Sequence, residues 1–282
     1  MKLGRWTLDY SARLGGSLLR CAYNGQDILR PAVGKDDARQ TSAFPMVPFI
    51  GRITNGKFTF AEQKISLDAN MPPEPHAIHG RGWQSEWTAI EETNALTLSH
   101  AHDGMTDWPW AYSASQVFTA QVNTLQLSMT LRNESNRPMP GGLGWHPYFP
   151  KHGGRLQADV VSVWSSANHG IIGHAISDLS PETDLRSARA VDKLSLDHCF
   201  VAGDADVLLS WPQKRRSLRM ASSQNLGHLT VYSPPDENYF CVEPVSHAPD
   251  AVNMEHPNHI TGLTILPPGE TMTATIRLTV EV

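Results

Sequence analysis

The stretch "LQLSMTL" (residues 125–131) alternates without a break. Leu125, Leu127, Met129 and Leu131 are apolar, and Gln126, Ser128 and Thr130 between them are polar. A period of two is the pattern of a strand buried on one face, because successive side chains point to opposite sides of a sheet. The chain closes in the same way: in "TIRLTVEV", Ile276, Leu278, Val280 and Val282 share one face. "WTLDY" near the start and "FTF" (58–60) are shorter examples. Asn-Gly pairs at 24–25 and 55–56 fall between strand-like runs and predict tight hairpins. With 20 prolines and 21 glycines spread along the chain, a long helix has little room. No amphipathic pattern of three helical turns is found, and "DLSPETDLRSARAVDKL" (178–194) reads as one short helix or a loop. The expected fold is all-β, many short strands in two packed antiparallel sheets. No low-complexity linker divides the chain, which predicts a single domain over residues 1–282.

The composition, 40% hydrophobic and 18% charged, is that of a globular protein with a sizeable core. The net charge is −5, and the densest basic run, "KRR" (214–216), reads as a solvated turn, so no nucleic-acid partner is expected. No segment approaches the ~20 apolar residues of a membrane-spanning helix. The opening "MKLGRWTLDYSARLGG" lacks the apolar core of a signal peptide. Cys21, Cys199 and Cys241 are isolated, with no CxxC pair. A cytoplasmic protein with reduced thiols is expected, without a membrane partner.

Four segments carry groups capable of chemistry. "GRITNGKF" (51–58) offers Arg52, "HAIHGRGW" (76–83) offers His76 and His79, and "GWHPYF" (144–149) offers His146. "FCVEPVSHAPD" (240–250) offers Glu243, with His247 and Asp250 behind it. The long loops "DANMPPEPHAIHGRGW" (68–83) and "VEPVSHAPDAVNMEHPNH" (242–259) suit function presented on a rigid β-scaffold. Among 13 histidines, most serve structure, and a lone glutamate is more often an ion-pair partner than a catalyst. His76 and His79 have the spacing of a His-x-x-His metal pair, but no third ligand cluster stands at conventional spacing, and no metal is expected. GxSxG nucleophile and glycine-rich phosphate signatures are absent. What sets His146 apart is its setting between tryptophan and proline. That setting suits either a packed core histidine or a proton-transfer group with an apolar wall around it.

Taken together and in order, these segments resemble the aldose 1-epimerase (galactose mutarotase) family, and within it the bacterial mutarotase-like proteins. The family's N-R-x-x-x-G-x-F motif is similar to "GRITNGKF", and its L-H-G to Ile78-His79-Gly80. Its x-H-P-Y-F is similar to Trp145–Phe149, its D-H-x-F to Asp197-His198-Cys199-Phe200, and its late E-P to Glu243-Pro244. The likeness extends to "LPPGET" (266–271). One departure is Gly51, where the family commonly has Asn before the arginine, and a sugar hydroxyl contact is lost with it.

The resemblance implies a large antiparallel β-sandwich, the galactose mutarotase-like supersandwich, with a sugar site in a cleft across one sheet. It implies an isomerase that interconverts the α- and β-anomers of a free aldose by opening and closing the ring, with no cofactor. Glu243 is then the general base and His146 the general acid, His79 binds at or near the ring oxygen, and Arg52 and Asp197 bind ring hydroxyls. For His146 to hold a proton, a neighbouring carboxylate must offset the apolar surroundings and keep its pKa near the operating pH. Tyr148 and Trp145 offer apolar faces either to the sugar or to the core. Two rival readings follow from the same residues. One is a hexose-6-phosphate 1-epimerase, which needs a cationic pocket for which Arg81, beside His79, is the candidate contributor. The other is a carbohydrate-binding module that has lost catalysis. The preferred sugar and the oligomeric state are not encoded in any of these features.

Overall fold

The two alternating stretches pair with each other. Thr124–Asn133 lies antiparallel to Thr271–Glu281, with Leu125 opposite Leu278, Leu127 opposite Ile276, Met129 opposite Ala274 and Leu131 opposite Met272. All of these side chains are buried. The structure, a computed structural model, describes residues 1–105, 107–167, 171–176, 178–256 and 258–281. Val282, expected on the same face as Val280, and Pro257 in the 242–259 loop lie outside these residues.

From this pair an antiparallel ladder extends in both directions. On one side it continues through Ala111–Gln121, Ala95–Asp103 and Thr88–Glu92, and on the other through Arg216–Ser222 to the latter half of Leu196–Trp211. A second ladder runs through Trp6–Ser11, Ser17–Tyr23, Ala43–Met46, Gly144–Pro150, Tyr239–Val245 and His228–Ser233 to the first half of that same long strand. Leu196–Trp211 therefore belongs to both leaves, pairing through Leu196–Val201 with one and Asp206–Trp211 with the other. One hydrophobic cluster takes Phe118, Leu127 and Leu131 from the first ladder and Trp6, Trp145, Phe149 and Phe240 from the second. The two ladders are the leaves of a large antiparallel β-sandwich, as expected. Among the described residues α-helix is confined to Asn258–Thr261.

Local expectations fare unevenly. Asn24 and Gly25 take φ of 47° and 80° and close a hairpin in which Tyr23 faces Gln26. Asn55-Gly56 makes a turn but no hairpin, because Arg52–Ile53 pairs with Ala77–Ile78 and Lys57–Phe60 pairs with Gln63–Ser66. The cause lies far away in sequence. The Asp250 carboxylate accepts the Thr54 backbone N–H and hydroxyl, and the Asn55 N–H is donated to His76 Nδ1. Those bonds hold the turn open and send its two arms to different partners. The 178–194 segment is loop, with a two-residue strand at Arg189–Ala190 and a 3-10 turn at Val191–Lys193. Lys214 and Arg215 are exposed at a turn as expected, while the Arg216 guanidinium folds back 4.7 Å over the Trp211 ring.

Candidate active site

Strand register alone gathers most of the site. Gly144 faces Val245 and Tyr148 faces Cys241 across the Gly144–Pro150 and Tyr239–Val245 pair, which puts His146 opposite Glu243. Phe44 is opposite His146 on the outer side, Thr230 is opposite Glu243, and Cys199 is opposite Thr230. These side chains form one row across five strands. The neighbouring row holds Tyr148, Cys241, Tyr232 and Asp197. Side chains of the alternate parity go the other way: Trp145, Phe149, Phe240 and Val242 enter the main core. The same period of two that makes the strands thus splits "GWHPYF" into a core half and a cleft half. Trp145 belongs to the core, and Tyr148 to the cleft.

The cleft over these rows has a volume of about 360 Å³ and includes Arg52, His79, His146, Asp197 and Glu243 in its lining. That is within the range of small-molecule sites. The five residues singled out in the sequence are brought together. His146 Nε2 lies 3.3 Å from Glu243 Oε1, both side chains almost fully buried. The His146 ring stacks with Phe44 at 4.5 Å and with Tyr148 at 4.8 Å, and meets the His79 ring edge-on at 5.6 Å. His79 is held by a two-way bridge to Gly51: its own N–H donates to the Gly51 carbonyl, and its Nδ1 accepts the Gly51 N–H. With Nδ1 occupied as an acceptor, the proton of the neutral ring sits on Nε2, so His79 is a donor. Arg52 donates to Glu74 Oε1 at 3.1 Å.

Burial governs the protonation of these groups. It pushes Glu243 well above the ordinary carboxylate value, helped by the nearby Asp197 and opposed by Arg52. It holds His79 well below the ordinary imidazole value, with His146 and Arg52 adding to the effect. His146 is lowered to about 3, chiefly by burial, a backbone hydrogen bond pulling the other way and Arg30 adding to the fall. This corrects the expectation that a neighbouring carboxylate keeps His146 near neutral pH. The carboxylate is present, but the surroundings that desolvate the imidazole also desolvate Glu243, so at rest neither charge is favoured.

Other sequence candidates are framework. His247 Nε2 accepts the Ile50 N–H and its Nδ1 donates to the Ala248 carbonyl at 2.7 Å. Asp250 ties down the turn at Thr54. His76 Nδ1 accepts the Asn55 N–H and His79 Nδ1 accepts the Gly51 N–H, so each ring is tied to the backbone through that nitrogen. Arg81 is paired with Asp107 and is not among the cleft-lining residues.

A family model described as aldose 1-epimerase matches residues 11–279. The chain belongs to the aldose 1-epimerase family. It is similar to the uncharacterized protein YphB of Escherichia coli K12, 28% identical over 263 residues that make up 90% of this chain and 89% of that one. The crystal structure of a candidate aldose 1-epimerase from Escherichia coli K12 matches with a TM-score of 0.90 at 28% identity, covering 100% of this chain and 97% of that one. A galactose mutarotase-like protein from Clostridium acetobutylicum shares the fold, with a TM-score of 0.90 at 16% identity over 100% of this chain and 94% of that one.

In this aldose 1-epimerase family member the departure at Gly51 has a steric basis. Gly51 has φ +64°, and a Cβ there would stand 2.6 Å from the Pro249 side chain, so the asparagine common in the family does not fit. Gly80 is tighter still. It has φ +68°, and a Cβ would lie 2.0 Å from the Val47 carbonyl oxygen. Gly80→Ala should cost about 3 kcal/mol or more, by forcing both strain and a backbone shift next to His79. Thermal unfolding read by circular dichroism should show a clear fall in Tm, and an unchanged Tm would contradict this packing. Cys241 brings a third donor atom within 4.8 Å of those of His146 and Glu243. Burial pushes its thiol well above the ordinary value, so beside this pair it is a neutral S–H. Glu74, Phe44 and Arg30 went unrecognised in the sequence, since nothing local to "PPEPH", "AFPM" or "ILRP" marks them.

Proposed function

We propose that the protein is an aldose 1-epimerase that interconverts the anomers of an uncharged aldose. The observation that supports it most is the 3.3 Å approach of His146 Nε2 to Glu243 Oε1 on the floor of the cleft. Ring opening needs one group to take the anomeric hydroxyl proton and another to protonate the ring oxygen. A carboxylate–imidazole pair holding one proton does both. At that separation the pair has two forms: a neutral carboxylic acid with neutral imidazole, and a carboxylate with imidazolium. Burial favours the first. A bound sugar, with hydroxyls to solvate the carboxylate and Arg52 already favouring its charge, brings the second within reach.

In the ionised form Glu243 takes the proton from O1 as His146 gives its proton to the ring oxygen. The bond from C1 to the ring oxygen breaks and C1=O forms. Rotation about C1–C2 turns the aldehyde over, and closure runs the same transfers in reverse, so the pair ends with the one proton it began with. His79 Nε2–H donates to the sugar oxygens at the reacting end. Arg52 and Asp197 hold ring hydroxyls, and Trp83, Trp164 and Tyr232 offer apolar faces to the C–H surfaces.

An uncharged sugar is favoured over a phosphorylated one by the state of the cations. Arg52 and Arg39 are the ones that line the cleft among the described residues, and Glu74 and Asp37 already neutralise them. A module that merely bound sugar would have no use for a desolvated acid–base pair. The test is the optical rotation of freshly dissolved α-D-glucose and α-D-galactose with catalytic protein. Faster mutarotation supports the reading; no acceleration with these or with a wider panel of free aldoses would refute it. Asp197→Asn should raise KM about tenfold or more with a much smaller change in kcat, since it removes a charged hydroxyl acceptor and, at the proton-transfer pair, only eases the upward push on Glu243. Steady-state polarimetry over a range of sugar concentrations measures both.

A further inference from the structure

Arg30 is buried, yet among the ion pairs of the described residues none involves it. Its Nη2 donates to the carbonyls of Arg39 and Thr41, and its Nε has no hydrogen-bond partner. The guanidinium lies 4.2 Å over the Tyr148 ring and 4.7 Å over that of Tyr239. Burying a cation without a counter-ion is costly, and cation–π contact returns only part of that cost. A glutamine would satisfy a carbonyl here without the charge. What the charge reaches is the acid–base pair, because Tyr148 in turn stacks on His146 at 4.8 Å.

We propose that Arg30 is a positioning residue for proton transfer: its unmatched charge, one tyrosine ring away from His146, disfavours the resting imidazolium and makes the protonated ring a stronger donor to the sugar's ring oxygen. This rests on the epimerase reading of the site. The groups facing His146 are few. Glu243, from Tyr239–Val245, favours its proton; Phe44, from Ala43–Met46, is uncharged; His79, after Ala77–Ile78, is neutral with its proton on Nε2. Tyr148, on its own strand, stays an un-ionised phenol because burial raises it well above its ordinary value, and Cys241 stays a thiol. Arg52 and Asp197 act through Glu243 with opposite signs. Among these Arg30 is the fixed charge that has no carboxylate of its own.

The test compares Arg30→Met and Arg30→Gln, which lose the charge, with Arg30→Lys, which keeps it. A like charge lowers the proton affinity of both forms of the pair, so its loss should move both limbs of the bell-shaped pH–rate profile to higher pH. The expected shift is about one unit, a roughly tenfold change in proton affinity. Arg30→Lys should keep the wild-type limbs. A role confined to packing the Arg39–Thr41 turn would lower stability or rate in all three variants and leave the limbs in place. Glutamine retains a donor for those carbonyls, so it serves if the methionine variant fails to fold. Nitrogen-15 spectra of the His146 ring during acidification give a readout that needs no turnover. Onset of protonation at higher pH in Met and Gln, but not Lys, supports the inference even if no aldose is epimerised. An imidazole that stays neutral down to acid unfolding in Met and Gln, as in wild type, overturns it, as does an equal shift in all three variants.

Discussion

Glu243→Gln should lower kcat for anomer exchange by ~10²–10⁴-fold, the usual contribution of a general base. The change is nearly isosteric, so the row Phe44, His146, Glu243, Thr230 keeps its packing and sugar binding should survive. The loss should therefore fall on kcat and leave KM within a few-fold. The same variant should also be the more stable protein. Burial raises the Glu243 carboxyl well above 4.5, so above that pH the unfolded chain releases a proton that the native state keeps. With fewer protons bound in the unfolded state, stability falls as pH rises through this window, and a glutamine is free of the penalty. Thermal scans should thus show a Tm advantage for Glu243→Gln that grows from acid toward mildly alkaline pH. A variant that keeps most of the wild-type kcat would falsify the base assignment, and a Tm advantage that shrinks with rising pH would contradict the burial.

His146→Asn should cost a similar factor in kcat, and the double variant should lose far less than the product of the two single losses. The two groups share one proton and act as a unit, so removing either disables both. Independent losses that multiply would mean that the groups work in separate steps. The pH signature of stability has the opposite sign from that of Glu243. The unfolded chain takes up a proton on His146 near 6.5, and the native state resists it down to about 3. Wild type therefore loses stability as pH falls through that interval, and His146→Asn should lose less. His247 and His228, each lowered to about 4 by burial, add to acid sensitivity in both proteins, so the informative quantity is the difference between them.

Much of the fold was legible because it rests on short-range patterns. Alternation at 125–131 and 275–281 marks strands whatever their partners, and Asn24-Gly25 makes its hairpin from its own φ preferences. Asn55-Gly56 has the same local chemistry and fails as a hairpin, because Asp250, nearly 200 residues on, takes the Thr54 donors. The site was legible for a different reason. Arg52, His79, His146 and Glu243 stand between apolar or glycine neighbours, which give each its place on a strand or tight turn, whereas Asp197, followed by His198, is marked only by its likeness to the family's D-H-x-F motif.

Strand alternation and the order of the motifs carry the strand-rich sandwich, the family likeness and the five residues that meet in the cleft. How those residues are charged and paired follows from the packing of the folded chain. Protonation depends on how many apolar atoms surround a group, and here those come from Phe44, Tyr148 and strands distant in sequence. It is this shared burial that leaves His146 and Glu243 neutral at rest, against the expectation of a protonated histidine. Likewise the Arg52–Glu74 pair joins a short strand to a loop 22 residues on, and Arg30 is set over Tyr148 and Tyr239 from two distant strands, so no local pattern in either segment carries that information.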